Sequence, residues 1–227
     1  MIERLFPEWV STVETFTDTP DVTLFPAEQA LLRNAVPKRR LEFTTGRACA
    51  RRALAGLGVP PEPLLRGPRG EPRWPAGVVG SITHCAGYRA AAVAASTRAA
   101  AIGIDAEPDQ SLPDGVLDVI AIPVELPMLR RLAASRPDVS WERMLFSAKE
   151  SVFKAWYPLA GHSLDFDEAA VAFDLSGRFT ARILVDAAVN VYIGRWLAVD
   201  GLVVTGIVVP AGTRAHAVGN AVHSRRL

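Results

Sequence analysis

Two short segments carry side chains able to do phosphate chemistry. Gly103-Ile104-Asp105-Ala106-Glu107 sets two carboxylates two residues apart, and the run from Phe146 to Lys154 holds a third, Glu150, with Lys149 and Lys154 beside it. On a strand, residues two apart share a face at roughly 6.6 Å, and the longer glutamate can lean toward the aspartate so that both reach one cation. Magnesium suits such a pair, since it takes one or two carboxylates and completes its octahedron with waters and substrate phosphates. Each segment also has an ordinary reading. A strand that leaves its sheet often ends in acids because its backbone has reached water, and Glu150 with Lys154 is a favourable exposed i,i+4 helical pair. Leu145, Phe146, Val152, Phe153, Trp156 and Tyr157 nevertheless spread apolar surface around most of that second segment, so charges on such a helix need a polar site.

The elements that must hold these groups follow from periodicity and punctuation. Residues 1–37 are broken by Pro7, Pro20, Pro26 and Pro37 and predict an irregular entry with one helix near Ala27 to Asn34. A basic cluster, Lys38, Arg39 and Arg40, precedes a helix predicted from about Glu42 to Leu57, with Gly58 placed to end it. The proline- and glycine-rich stretch that follows is a loop. VVGSITHC and YRAAAVAAS read as strands around Ala86-Gly87, and AIGIDAE as a third. Residues 108–125 link two halves. The second half repeats the order with a helix from about Trp141 to Tyr157, a stop at Pro158 and Gly161, and four strands turning at Ser176-Gly177 and Asp200-Gly201. The expected class is α+β, two pseudo-duplicated halves, each a long helix packed on a small antiparallel sheet. The boundary is set between residues 107 and 108, giving halves of 1–107 and 108–227.

The chain is 227 residues long and 49% hydrophobic, enough for a substantial core. Its 25 Lys and Arg against 24 Asp and Glu give no reason to expect nucleic-acid binding, so any phosphate affinity has to be local. The start, MIERLFPEWV, carries acids where a secretion signal needs cations, and Arg98 interrupts the alanine-rich segment 90–104. A cytoplasmic protein without a membrane span is expected. Cys49 and Cys85, the only cysteines, form no metal-binding pattern. Cys85 follows His84, but neighbours on a strand point to opposite faces, so a Cys/His nucleophile is not expected.

Five segments in order, KRRLEFTTGR, LRGPRGEPRWP, VGSITHCAGYR, IGIDAEP and FSAKESVFKAWYPL, cover residues 38 to 159. In them the chain resembles the phosphopantetheinyl transferases of the monomeric pseudo-twofold class, most of all the mycobacterial-type enzymes. The resemblance implies transfer of the phosphopantetheine arm of coenzyme A to a serine of an acyl or peptidyl carrier protein, with release of adenosine 3',5'-bisphosphate. It implies Asp105, Glu107 and Glu150 as ligands of magnesium, with manganese as the alternative, and Lys149 and Lys154 on the coenzyme A phosphates or the phosphopantetheine end. Arg39, Arg47 and Arg66 become the coenzyme A clamp, and His84 a partner of the 3'-phosphate or pyrophosphate, assisted by Ser81 and Thr83. Many members have Gly-Lys-Pro where this chain has Gly70-Glu71-Pro72; Arg69 and Arg73 are the nearby substitutes. Arg51 and Arg52 share the helix of Arg47 but do not follow the family positions.

The chemistry fits such a set. Attack of a hydroxyl on the β-phosphate builds charge on oxygens, so positioning and electrostatics carry catalysis. The nucleophile belongs to the partner. Glu150 is the first candidate for general base, directly or through a water, and Lys154 for assistance to the leaving phosphate. An acidic carrier would dock on a partly apolar, basic surface, to which Arg130, Arg131 and Arg136 are candidate contributors. The acids and lysines alone equally fit a magnesium-dependent pyrophosphate hydrolase. A noncatalytic coenzyme A scaffold is disfavoured, because it has no need of three acids.

Overall fold

The computed structural model describes residues 1–213; the last part of the second half, 214–227, lies outside the described residues. Two antiparallel sheets each carry one 20-residue helix. The first sheet has the order β1-β3-β2, from Ser11–Thr15, Tyr88–Ala95 and Val78–Cys85. The helix α2, Pro37–Gly56, packs on it through Cys49, Ala50, Ala53 and Leu54 against Ala91 and Val93. Small residues let β3 be buried along nearly its whole length, between α2 on one face and the Ile2–Leu5 turn on the other. The second sheet has the order β4-β8-β7-β6-β5, from Ala99–Pro108, Leu202–Pro210, Val191–Val199, Arg178–Ile183 and Ala169–Phe173. On it lies α5, Trp141–Ala160, which buries Met144, Leu145, Ala148 and Val152. The expected pair of α+β halves is the architecture found.

Several boundaries differ from the sequence reading, each for a local reason. Helix α2 begins five residues early because Pro37 at its first turn presets the helical φ and has no N–H to lose. Lys38, Arg39 and Arg40 therefore form the first turn rather than a preceding cluster. Helix α1 covers only Pro26–Ala30, and the carbonyls of Arg33 and Ala35 beyond it are taken by the Arg40 guanidinium. Strand β1 was not foreseen; its residues STVET lack an apolar alternation, and pairing to β3 defines it. The link contains one short helix, α3 (Val116–Ile120), and a second helix, α4 (Leu126–Ser135), follows it directly. Helix α5 runs through Pro158 and ends at Gly161, whose φ of 74° is left-handed. The Asp200-Gly201 turn has φ of 54° and 72° at its two residues, as a two-residue hairpin requires.

The two halves meet at β4. On one edge β4 pairs with β8; on the other its amides are received by hydroxyls of β2, Ile104 N–H by Ser81 Oγ and Ala106 N–H by Thr83 Oγ1, both at 3.1 Å. Helix α5 approaches β4 so closely that a Cβ on Gly103 would lie 1.9 Å from the Ser151 carbonyl oxygen. The glycine of the first motif thus lets the helix carrying the second lie directly on the strand carrying Asp105.

Candidate active site

Strand β4 and helix α5 bring Asp105, Glu107, Glu150 and Lys154 into one neighbourhood. Asp105 is buried, and its Oδ1 accepts from Lys154 Nζ at 2.7 Å and from Thr83 Oγ1 at 3.4 Å. Lys154 also donates to the Ile104 carbonyl at 3.1 Å. The second oxygen of Asp105 is buried with no partner among the described residues. Glu107 accepts from Arg143 at 3.3 Å. Burial, then the charge of Asp105, pushes the Glu107 carboxyl above its usual range. Burial does the same to Glu150, where Lys154 opposes it and Asp105 adds to it.

Among the described residues no group of three or more His, Cys, Asp or Glu side chains is drawn close enough to form a metal site as it stands. The donor set still fits a hard cation. A buried carboxylate oxygen without a partner and two carboxylates held toward protonation are all relieved by positive charge, and oxygen donors are what magnesium takes.

Beside this cluster lies a second, cationic one. The Arg39 guanidinium is 2.7 Å from His84 Nε2 and 3.4 Å from a Glu42 carboxylate oxygen. A guanidinium only donates, so Nε2 is the accepting nitrogen and the imidazole is neutral. Burial first, then Arg39 and more weakly Lys154, hold the imidazole below its ordinary value, while Glu42 acts the other way. Thr83, the neighbour of His84 on β2, donates to Asp105 at 3.4 Å, which sets the two clusters side by side. Arg47 and Arg66 both lie over the Phe43 ring, 4.3 and 5.1 Å from its centroid. Arg47 is buried and spends its Nε–H on the Leu64 carbonyl at 2.9 Å. The first turn of α2 contains Lys38, Arg39 and Arg40 and no acid. Cations at the positive end of a helix dipole are unfavourable alone and favourable once an anion sits there.

Other sequence-predicted residues stand apart. Lys149 is buried and spends its three donors on the Ile120 and Phe166 carbonyls, both at 2.7 Å, and on Glu125 at 2.9 Å. No N–H remains for a phosphate in that arrangement. The Ser81 and Thr83 hydroxyls are engaged with β4 amides. Glu71 turns inward, accepting from the Arg69 N–H at 2.9 Å across Gly67, and adds no positive charge. Cys85 is no nucleophile, its thiol being pushed up to about 12 by burial and by Glu107 and Asp105. Arg136 is paired with exposed Asp138 at 2.7 Å. Arg130 lines an open groove of about 510 Å3 with Leu117, Leu126, Leu129, Val139 and Trp141. A smaller pocket of about 260 Å3 adjoins Glu150, lined also by Arg69, Phe153, Leu164 and Phe166.

Sequence reasoning missed Glu42, Phe43, Glu125 and Arg143. Glu42 and Phe43 lay inside a motif read only for its arginines. Arg143 precedes Glu150 by seven residues, which puts both on one helical face and was a usable signal. Glu125 gave none, since its partner comes from another element.

Two family models match the chain: one described as the 4'-phosphopantetheinyl transferase N-terminal domain over residues 27–94, the other as the 4'-phosphopantetheinyl transferase superfamily over residues 101–205. The chain is 58% identical over 225 residues to 4'-phosphopantetheinyl transferase Svp of Streptomyces mobaraensis, covering 94% of this chain and 92% of that protein. It is 46% identical over 213 residues to 4'-phosphopantetheinyl transferase PptT of Mycobacterium tuberculosis, covering 88% and 92%. Enterobactin synthase component D of Escherichia coli K12 is 40% identical over 129 residues, 56% of this chain and 59% of its own length. The likeness expected to mycobacterial-type enzymes is therefore one to actinobacterial enzymes more broadly, with the Streptomyces relative exceeding the mycobacterial one.

Proposed function

This chain belongs to the 4'-phosphopantetheinyl transferase superfamily and is a transferase of that type, and on that premise we propose that it moves the phosphopantetheine arm of coenzyme A onto a serine of an apo acyl or peptidyl carrier protein. Adenosine 3',5'-bisphosphate is the other product. The carrying observation is the adjacency of the two clusters: Arg39 and His84 are in contact at 2.7 Å on α2 and β2, and Thr83, next to His84, donates to Asp105, which Lys154 of α5 holds at 2.7 Å.

In this reading Arg39, Arg47, Arg66 and His84 bind the phosphates of coenzyme A. Guanidinium groups supply paired donors in fixed geometry, and the neutral His84 can add an N–H from Nδ1. Asp105, Glu107 and Glu150 would hold magnesium, or manganese through the same oxygens; bound there, it would neutralise pyrophosphate charge and make the bisphosphate a better leaving group. Glu150, held toward protonation by burial, takes the serine proton as the hydroxyl oxygen bonds to the β-phosphorus and the bond to the bridging oxygen breaks. Lys154 donates toward the leaving oxygens when it exchanges its contact with Asp105 for the substrate.

Lys149, Ser81 and Thr83 are read as supports. Lys149 fixes the wall of the pocket beside Glu150, and the two hydroxyls fix β4 against β2. We place the division of labour at residues 1–107 and 108–227, so that β4 ends at the junction. Internal duplication supplies both sides of the site, in keeping with a monomer. No helix among the described residues is long and apolar enough to cross a membrane, and the cytoplasm, where coenzyme A is held, is the proposed location. The Arg130 groove is the proposed carrier contact.

Glu150→Gln tests the chemical assignment. It should bind coenzyme A within about threefold of the parent by calorimetry yet lose transfer by about a hundredfold or more. Equal transfer at saturating coenzyme A and fixed magnesium would remove Glu150 from the reaction.

A further inference from the structure

Glu28 belongs to none of the motifs above, yet its side chain is fully buried in the short helix α1. Its Oε1 accepts from the Leu64 N–H at 3.0 Å and from Arg51 at 3.1 Å; its Oε2 accepts from the Phe25 N–H at 3.0 Å and from Arg51 at 2.8 Å. The Nε of Arg47 is 3.9 Å away. A carboxylate this deep persists only where its charge is matched and its lone pairs are used. Arg51 alone would meet the first need, and a merely structural pair would require nothing more.

The remaining contacts lead toward the arginines stacked on Phe43. Leu64 is gripped through both of its backbone polar groups, its N–H by Glu28 and its carbonyl by Arg47 at 2.9 Å. It lies in the proline- and glycine-rich stretch between α2 and β2, which has no helix or strand to fix its register. Two residues further on, Arg66 reaches the same Phe43 ring that Arg47 covers. Arg51 Nη1 holds both oxygens of Glu28, while Arg47 gives its Nε–H to Leu64 and its terminal nitrogens have no hydrogen-bond partner among the described residues. Arg66, Arg51 and Arg39 all press on Arg47, and Glu28 is the anion that acts against them.

We propose that Glu28 is the positioning residue of the coenzyme A pocket, clasping Leu64 so that Arg47 and Arg66 stand ready over Phe43 before the substrate arrives. The proposal rests on the reading of Arg47 as part of the clamp, and the experiment separates the two. Transfer is measured against coenzyme A concentration for the full-length enzyme, Arg47→Ala and Glu28→Gln, with thermal melts of each. Both variants should raise KM for coenzyme A about tenfold, the worth of one charge-assisted contact, with kcat within about threefold. An unchanged KM in Arg47→Ala overturns the clamp reading. A raised KM in Arg47→Ala with an unchanged one in Glu28→Gln overturns the role of Glu28 alone. Hydrogen exchange on the unmodified enzyme covers the case in which Glu28→Gln does not fold. The Leu64 amide should be slow to exchange without coenzyme A, and protection that arises only on adding it would contradict a clasp formed in advance.

Discussion

At the scale of single residues, the site is a set of charges held away from comfort. Glu107 and Glu150 are pushed toward protonation by burial and by neighbouring acids, while His84 is pushed toward neutrality by burial and Arg39. The sign for His84 is definite. Its pKa lies below the unfolded value of 6.5, so as pH falls through that value the unfolded chain gains a proton that the native state refuses, and stability declines. Coenzyme A bound as proposed would reverse the preference, since a phosphate beside His84 favours the charged imidazole. Calorimetry in buffers of different ionisation enthalpy at pH 6.5 should therefore record proton uptake on binding, and His84→Gln should reduce it. Uptake that is the same in the variant would detach His84 from the ligand. Much of this was legible early. Asp105 and Lys154, read from two separate motifs, are in contact at 2.7 Å. Lys149 did not read true to its neighbours, because whether a lysine faces substrate or Glu125 depends on a partner 24 positions back in the chain, and no local pattern encodes that.

At the scale of elements, one glycine and one buried ion pair set the geometry. Gly103→Ala would drive a methyl group into the Ser151 carbonyl, so α5 must lift from β4. The expected cost is about 1–3 kcal/mol, read as a lower denaturation midpoint, with transfer falling further than stability as Glu150 and Lys154 leave Asp105. Lys149→Met should cost about 3–5 kcal/mol, because Glu125 is left buried without its counter-charge. Folded enzyme from that variant should keep its KM for coenzyme A within about twofold; a KM raised tenfold would return Lys149 to the phosphates. Helices α2 and α5 and all the strands from β2 onward were readable from apolar periodicity and from turns such as Asp200-Gly201. Strand β1 was not, since an edge strand with mixed residues is defined by what it pairs with. The early start of α2 was signalled by Pro37 and obscured by three consecutive cations that a helix N-terminus normally avoids.

At the scale of the molecule, two α+β halves meet along β4, and the candidate site lies at that seam. With the division proposed at residue 107, the first half contributes the arginines, His84 and β4 with Asp105 and Glu107, and the second contributes α5 with Glu150 and Lys154. Acids with raised pKa make the molecule less stable as pH rises from 4.5 through their native values. A divalent cation offsets that loss only where the acids are ionised. Millimolar magnesium should then raise the melting temperature by several degrees at pH 7.5 and little at pH 5, and Asp105→Asn should abolish the difference. The most direct test of the whole account is the intact mass of an apo carrier domain incubated with this enzyme, coenzyme A and magnesium. The account predicts a gain of one phosphopantetheine on the parent carrier and none on a carrier with its acceptor serine changed to alanine. Coenzyme A cleaved to adenosine 3',5'-bisphosphate while every carrier in a broad panel keeps its apo mass would contradict it.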